Sequence, residues 1–178
     1  MFGVMRIRLT WLVVGIAVAL LGILGYSKLT GPGPMTLNGA ELRIEVPASW
    51  DGRTYENPTG LRVLQAASLP LSPKEDDADT GSGTQRRLEA QDIFLSVWYW
   101  PDWPPPGGNG DTTPLSLPPR ISRADFGGFE GQIAPSEAQL VGLIDGKLVQ
   151  VRVAFGTGTP SDGQLVKANA ILRTFAIT

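Results

Sequence analysis

The chain contains neither cysteine nor histidine. That double absence removes zinc sites built on Cys or His, iron-sulfur clusters, thiol nucleophiles, disulfides and every Ser-His-Asp arrangement. No cysteine is present to carry the lipid of a bacterial lipoprotein, and composition alone does not fix the redox compartment. Chemistry is left to Asp, Glu, Lys, Tyr or Ser alone, and no cofactor and no metal are expected.

Basic residues are scarce where a nucleic acid would need them. The sequence has 17 acids and 15 bases, but three of those bases (Arg6, Arg8 and Lys28) flank an apolar run near the amino terminus. The remainder, with twelve bases, has a net charge of about −5. Nothing there forms a basic stripe able to neutralise phosphates, so no nucleic-acid partner is expected.

Leu9 to Tyr26 reads LTWLVVGIAVALLGILGY and carries no charge. As a helix it would extend about 27 Å at ~1.5 Å per residue, against a bilayer core of about 30 Å. The segment has no polar face to offer water, which argues against a helix of a soluble domain. Trp11 and Tyr26 stand near its two ends, where amphipathic rings favour the headgroup level. With Arg6 and Arg8 before it, the positive-inside rule places residues 1–8 in the cytoplasm, a transmembrane helix over 9–26, and the rest outside. A cleaved signal peptide is the competing reading, disfavoured by the length of the apolar core and the lack of an Ala-x-Ala site. Residues 27–38, with Gly31-Pro32-Gly33-Pro34, read as a linker, leaving 39–178 as one extracytoplasmic domain. About 140 residues suffice for one hydrophobic core without staples.

Within that domain Glu41 to Val46 alternates, with Leu42, Ile44 and Val46 on one face, so it reads as a half-buried strand closed by Pro47. Asp51-Gly52 reads as a turn and Leu61 to Ala67 as a second strand. Pro70 to Gly83 is polar and acidic and reads as a mobile surface loop. Its Asp77-Ala78-Asp79 lacks the further oxygen ligands, sixth-place glycine and twelfth-place glutamate of a calcium loop. Thr84 to Gln91 reads as a short helix.

Ile93 to Trp100 is apolar on both faces, the mark of a central strand. Asp145-Gly146 predicts a two-residue type I′ hairpin between Leu140–Ile144 and Lys147–Phe155. Pairing Ile144 with Lys147 sets Leu140 opposite Val151 and Gly142 opposite Val149, with Val149, Val151, Val153 and Phe155 sharing a face. Ser161-Asp162-Gly163-Gln164 is a capping box ahead of Leu165, Ala168, Leu172 and Phe175 at helical spacing. The fold class is therefore α+β: an N-terminal transmembrane helix, then an antiparallel sheet packed with a C-terminal helix.

The order of these features resembles the PsbP/Mog1-like extracytoplasmic domains. The residues that carry the likeness are Ile44-Glu45-Val46-Pro47-Ala48-Ser49-Trp50, the strand Leu61 to Ala67, the glycine run Gly127-Gly128-Phe129-Glu130-Gly131, and the final strand-then-helix. The resemblance implies an antiparallel sheet with helices packed on it and an accessory, binding or assembly role beside membrane complexes. That family has no shared catalytic motif, so no catalytic residue is carried over. The Pro-rich Trp loop and the scarcity of helix in the first half depart from the family's layout.

Three of the five tryptophans crowd into Trp98-Tyr99-Trp100-Pro101-Asp102-Trp103. Exposed rings there would seat a partner's apolar side chains, and Trp100 and Trp103 are the candidate binding residues. The plainer alternative has Trp98 and Trp100 packed beneath the terminal helix and Trp103 pinning the loop. A glycosidase needs only two carboxylates about 5–10 Å apart; Asp92, Asp102 and Asp111 are the candidates, although no spacing singles out a pair. The glycine run lacks the order and the lysine of a phosphate cradle. The expected function is a non-catalytic, membrane-anchored binding or assembly module with an envelope or membrane protein as partner; the alternative is a carboxylate-dependent envelope hydrolase.

Overall fold

Leu42, Ile44 and Val46 alternate with Arg43 and Glu45, and the apolar three are fully buried while Arg43 is exposed. The structure, a computed structural model, describes residues 33–104, 113–127 and 132–178. The candidate membrane segment, Asp111 and all of the glycine run but Gly127 lie outside these. Among the described residues no helix is long and apolar enough to cross a membrane.

The domain is α+β and is built on two antiparallel sheets. In the smaller, β1 (Met35–Gly39) and β8 (Ala176–Ile177) flank β2 (Leu42–Val46). The larger has the order β3 (Asp51–Glu56), β4 (Arg62–Ala67), β5 (Ile93–Trp100), β7 (Lys147–Phe155), β6 (Ser136–Ile144). Short helices α1 (Lys74–Asp77) and α2 (Ser82–Gln85) lie between β4 and β5, a 3-10 turn covers Arg123–Asp125, and α3 (Asp162–Leu172) precedes β8.

The expected register of the last hairpin is present residue for residue: Ile144 faces Lys147, Gly142 faces Val149 and Leu140 faces Val151. Asp145 and Gly146 both take positive φ, 50° and 76°, as a type I′ turn requires. At the start of α3 the Ser161 hydroxyl accepts from the Gln164 N–H while the Gln164 carboxamide accepts from the Ser161 N–H, the reciprocal cap read from the sequence.

β5 is central as expected, between β4 and β7. Its inward residues Ile93, Leu95, Val97 and Tyr99 join Val149, Val151 and Val153 of β7, Leu64 and Ala66 of β4, the buried face of β2, and Ala168, Leu172 and Phe175. The three-stranded sheet and α3 thus close the inner face of the five-stranded one. Each large aliphatic side chain buried there contributes about 1.5–3 kcal/mol.

Several stretches differ from expectation. β1 begins inside the stretch read as linker; only Leu37 of MTLNG is buried, so no periodicity announced it. Its hairpin turns on Ala40 and Glu41, both at positive φ (51° and 59°), immediately after the Asn38-Gly39 pair that would have flagged it. Arg62 of β4 pairs with Glu41 of that turn and with Glu56, tying the two sheets together. Asp51-Gly52 opens β3 instead of forming a turn; β3 has no fully buried residue and is held by its ladder to β4. Of the helix read over Thr84–Gln91 only the start is helical, within Ser82–Gln85.

Candidate binding surface on the outer sheet face

Strand alternation sends every second residue of the five-stranded sheet to the face opposite α3. Across that outer face the ladder aligns one polar residue per strand: Arg53 opposite Gln65, Gln65 opposite Ser96, Ser96 opposite Arg152, and Arg152 opposite Gln139. Gln65, Ser96 and Arg152 are buried. A polar line inside a sheet demands hydrogen-bond partners, and the two ends of this one find them differently.

At the β3–β4 end the partners come from the segment expected to be a mobile loop. Arg53 donates to the Gln65 carboxamide oxygen at 2.8 Å, to the Ser72 carbonyl at 2.8 Å and to Asp77 at 2.6 Å. Asp77 is fully buried and also accepts from the Thr84 N–H and hydroxyl. Gln65 donates to the carbonyls of Ala78 and Asp79. Polarity here signals docking to a polar face, not solvation. Asp79 accepts from Tyr55 at 3.1 Å and Asn57 at 2.8 Å. Burial first, and then the Asp79 carboxylate, push the Tyr55 phenol well above its ordinary value. Gly81, at φ 73°, lies against the ring of Phe94, where a Cβ would collide.

The β7–β6 half is organised around a buried ion pair. Arg152 donates to Glu137, and both are almost inaccessible, at 5% and 1%. Burial raises the Glu137 carboxyl above its ordinary value, and the Arg152 charge and hydrogen bond oppose that rise. One oxygen of Glu137 (Oε2), one nitrogen of Arg152 (Nη2) and the Ser96 hydroxyl have no protein partner among the described residues. A cleft of about 370 Å³ opens beside Glu137, between Phe126, Gln132, Pro135 and Gly158. The polar atoms are of the kind that ordered water or a small polar group satisfies.

Trp98 lies over Arg152, with the guanidinium carbon 5.7 Å from the ring centroid, and donates its indole N–H to the Asp79 carbonyl at 2.8 Å. Trp100 meets Trp98 edge-on, centroids 5.9 Å apart and planes at 77°. The Trp103 N–H reaches back to the Trp100 carbonyl. Both sequence candidates, Trp100 and Trp103, are half-buried at one end of β5. Neither Trp98 nor Trp100 packs beneath the terminal helix: both point to the face away from it, because the even positions of β5 face outward once Leu95 and Val97 face the core.

Of the candidate carboxylates, the two that are described, Asp92 and Asp102, do not converge. Asp92 precedes β5 and Asp102 follows it, so the strand's eight residues, about 26 Å at ~3.3 Å each, separate them. Asp92 is committed to the Ser68 hydroxyl and the Glu89 N–H. Among the described residues no three acids gather as a metal site would need.

Sequence reasoning missed the Glu137–Arg152 pair, although the signal was present. Placing Val149, Val151 and Val153 inward leaves Gln150 and Arg152 outward, and the same hairpin register brings Gln139 opposite Arg152, with Glu137 on the diagonal. No family model, no curated protein and no solved structure matches this chain.

Proposed function

We propose that this chain is a membrane-anchored, extracytoplasmic binding or assembly module without catalytic activity, which meets a membrane or envelope protein through the aromatic end of its outer sheet face. The observation that carries the reading is the Trp98–Trp100 pair. Two indoles meeting edge to face, Trp98 of them over the buried Arg152, make a contact surface of the composition favoured at interface hot spots. Their backing is held in place by the sheet ladder and by the Asp79 carbonyl, so little ordering entropy opposes binding.

The apolar run Leu9–Tyr26 supports the anchor, and the basic residues before it support the outward placement of the domain. The likeness in element order to PsbP/Mog1-like domains supports an accessory role. The separation of Asp92 from Asp102 along β5 speaks against those two acting as the carboxylate pair of a hydrolase.

The test is crosslinking in intact membranes with the full chain, followed by identification of the attached proteins. Trp100→Ala should reduce recovery of the specific partner by tenfold or more, the scale of an interface hot spot at about 2 kcal/mol, and Trp103→Ala should reduce it less. Unchanged recovery with both variants would remove the aromatic surface from the interaction.

A further inference from the structure

A second cleft lies beside α3. It has a volume of about 300 Å³ and runs between the segment Pro118-Pro119-Arg120 and the side chains of Val166 and Asn169 of α3 and of Arg173, which caps that helix. Its walls are fixed. Ile121 is inserted in the main core at 2% exposure, and Asn169 clasps the Ile121 backbone, accepting from its N–H at 2.9 Å and donating to its carbonyl at 2.9 Å.

Two features of the cleft are unusual for this domain. Among the described residues Arg120 and Arg173 both line it, no acid does, and neither arginine has an ion-pair partner. In a domain whose overall charge is about −5, this is a local reversal of sign. Two of the three most exposed large hydrophobic residues among those described, Val166 at 64% and Leu117 at 47%, lie in the cleft or next to Pro118 at its edge. Paired cations with apolar rims match an amphiphile that carries an anionic head.

The position of the cleft in the fold narrows the choice of amphiphile. The chain enters the domain at β1, where Thr36 stands opposite Glu45, and the Glu45 N–H is bonded at 2.8 Å by Thr174, the residue after Arg173. Only residues 27–34 separate β1 from the end of the apolar run, a reach of at most about 28 Å at ~3.5 Å per residue.

We propose that this cleft binds the headgroup of an anionic phospholipid, with Arg120 and Arg173 holding the phosphate and Leu117 and Val166 meeting the glycerol and upper acyl region. The proposal rests on Leu9–Tyr26 being a membrane anchor, which keeps such lipids within reach of this end of the domain. An acidic peptide would satisfy the same guanidinium groups, and the test separates it from a lipid.

The test uses the full chain in nanodiscs of phosphatidylcholine alone or with added phosphatidylglycerol, read by amide hydrogen exchange over residues 117–121 and α3. Anionic discs should slow exchange there, neutral discs should not, and the Arg120→Gln/Arg173→Gln double variant should abolish the difference. In detergent, titration with soluble dihexanoyl phosphatidylglycerol should weaken about fivefold for each arginine removed, about 25-fold for both. Val166→Asp, which puts a carboxylate in the cleft, should weaken it as well. Equal protection in neutral discs, or unchanged affinity in the double variant, would overturn the proposal. So would equal competition by inorganic phosphate or a glutamate-rich peptide. If the chain stays in water and never enters the discs, the anchor reading fails, and the short-chain titration by itself decides the cleft.

Discussion

The two faces of the five-stranded sheet are made by the same strands and obey different physics. The inner face is a continuous apolar surface covered by α3 and the small sheet, where Leu64, Leu95, Val97, Val151 and Val153 exclude water and need no particular partner. The outer face carries Arg53, Gln65, Ser96, Arg152 and Gln139 in one line, and each demands a specific hydrogen-bond geometry. On the inner face stability scales with area. On the outer face it depends on completeness, because a buried polar group without its partner costs more than the pair contributes.

That contrast can be broken first at the ion pair. Arg152→Leu strands the Glu137 carboxylate and should cost about 3–5 kcal/mol in denaturant unfolding, whereas the double variant Arg152→Leu/Glu137→Met should recover most or all of the loss. If the double variant is as unstable as the single one, the outer face is held by packing like the inner one.

The inner face should show no such recovery. Leu95→Ala, opposite Ala66 and Val153, should cost roughly 3 kcal/mol through lost transfer energy and the cavity left behind. Adding Val153→Ala should deepen the loss, visible as a further fall in the unfolding midpoint.

The smallest effect is a pH dependence. Because the Glu137 carboxyl is raised in the folded state, the native protein holds its proton more tightly than the unfolded chain does. Stability contributed by the protonated form is then complete below the ordinary carboxylate value and declines as pH rises through the folded one. Wild type should therefore lose stability relative to Glu137→Gln as pH climbs above about 4.5, and the difference should level off beyond the folded value. A wild type that gains on the variant over that range would show that Arg152 outweighs burial.

Much of the scaffold was legible because it is encoded locally. The hairpin register followed from Asp145-Gly146 and a period of two, the α3 cap from Ser161 and Gln164, and the central place of β5 from two apolar faces. The candidate surface was legible only as a cluster of tryptophans. Which way Trp98 and Trp100 point depends on which face of β5 the helix covers, and that is a long-range choice. The acidic stretch around Asp77 illustrates the same limit: composition is identical for a solvated loop and for one whose carboxylate is fully buried against Arg53.

The sequence by itself determined the absence of Cys and His chemistry, the apolar run, the strand alternation of β2 and the last hairpin, since each rests on residue identity or on spacing within a few positions. Only the tertiary structure decided that there are two sheets, that β1, β3 and β8 exist, and that Arg53 finds Asp77 and Arg152 finds Glu137. Those features are held by partners distant in sequence, and a ladder or an ion pair leaves no periodic trace in either strand alone.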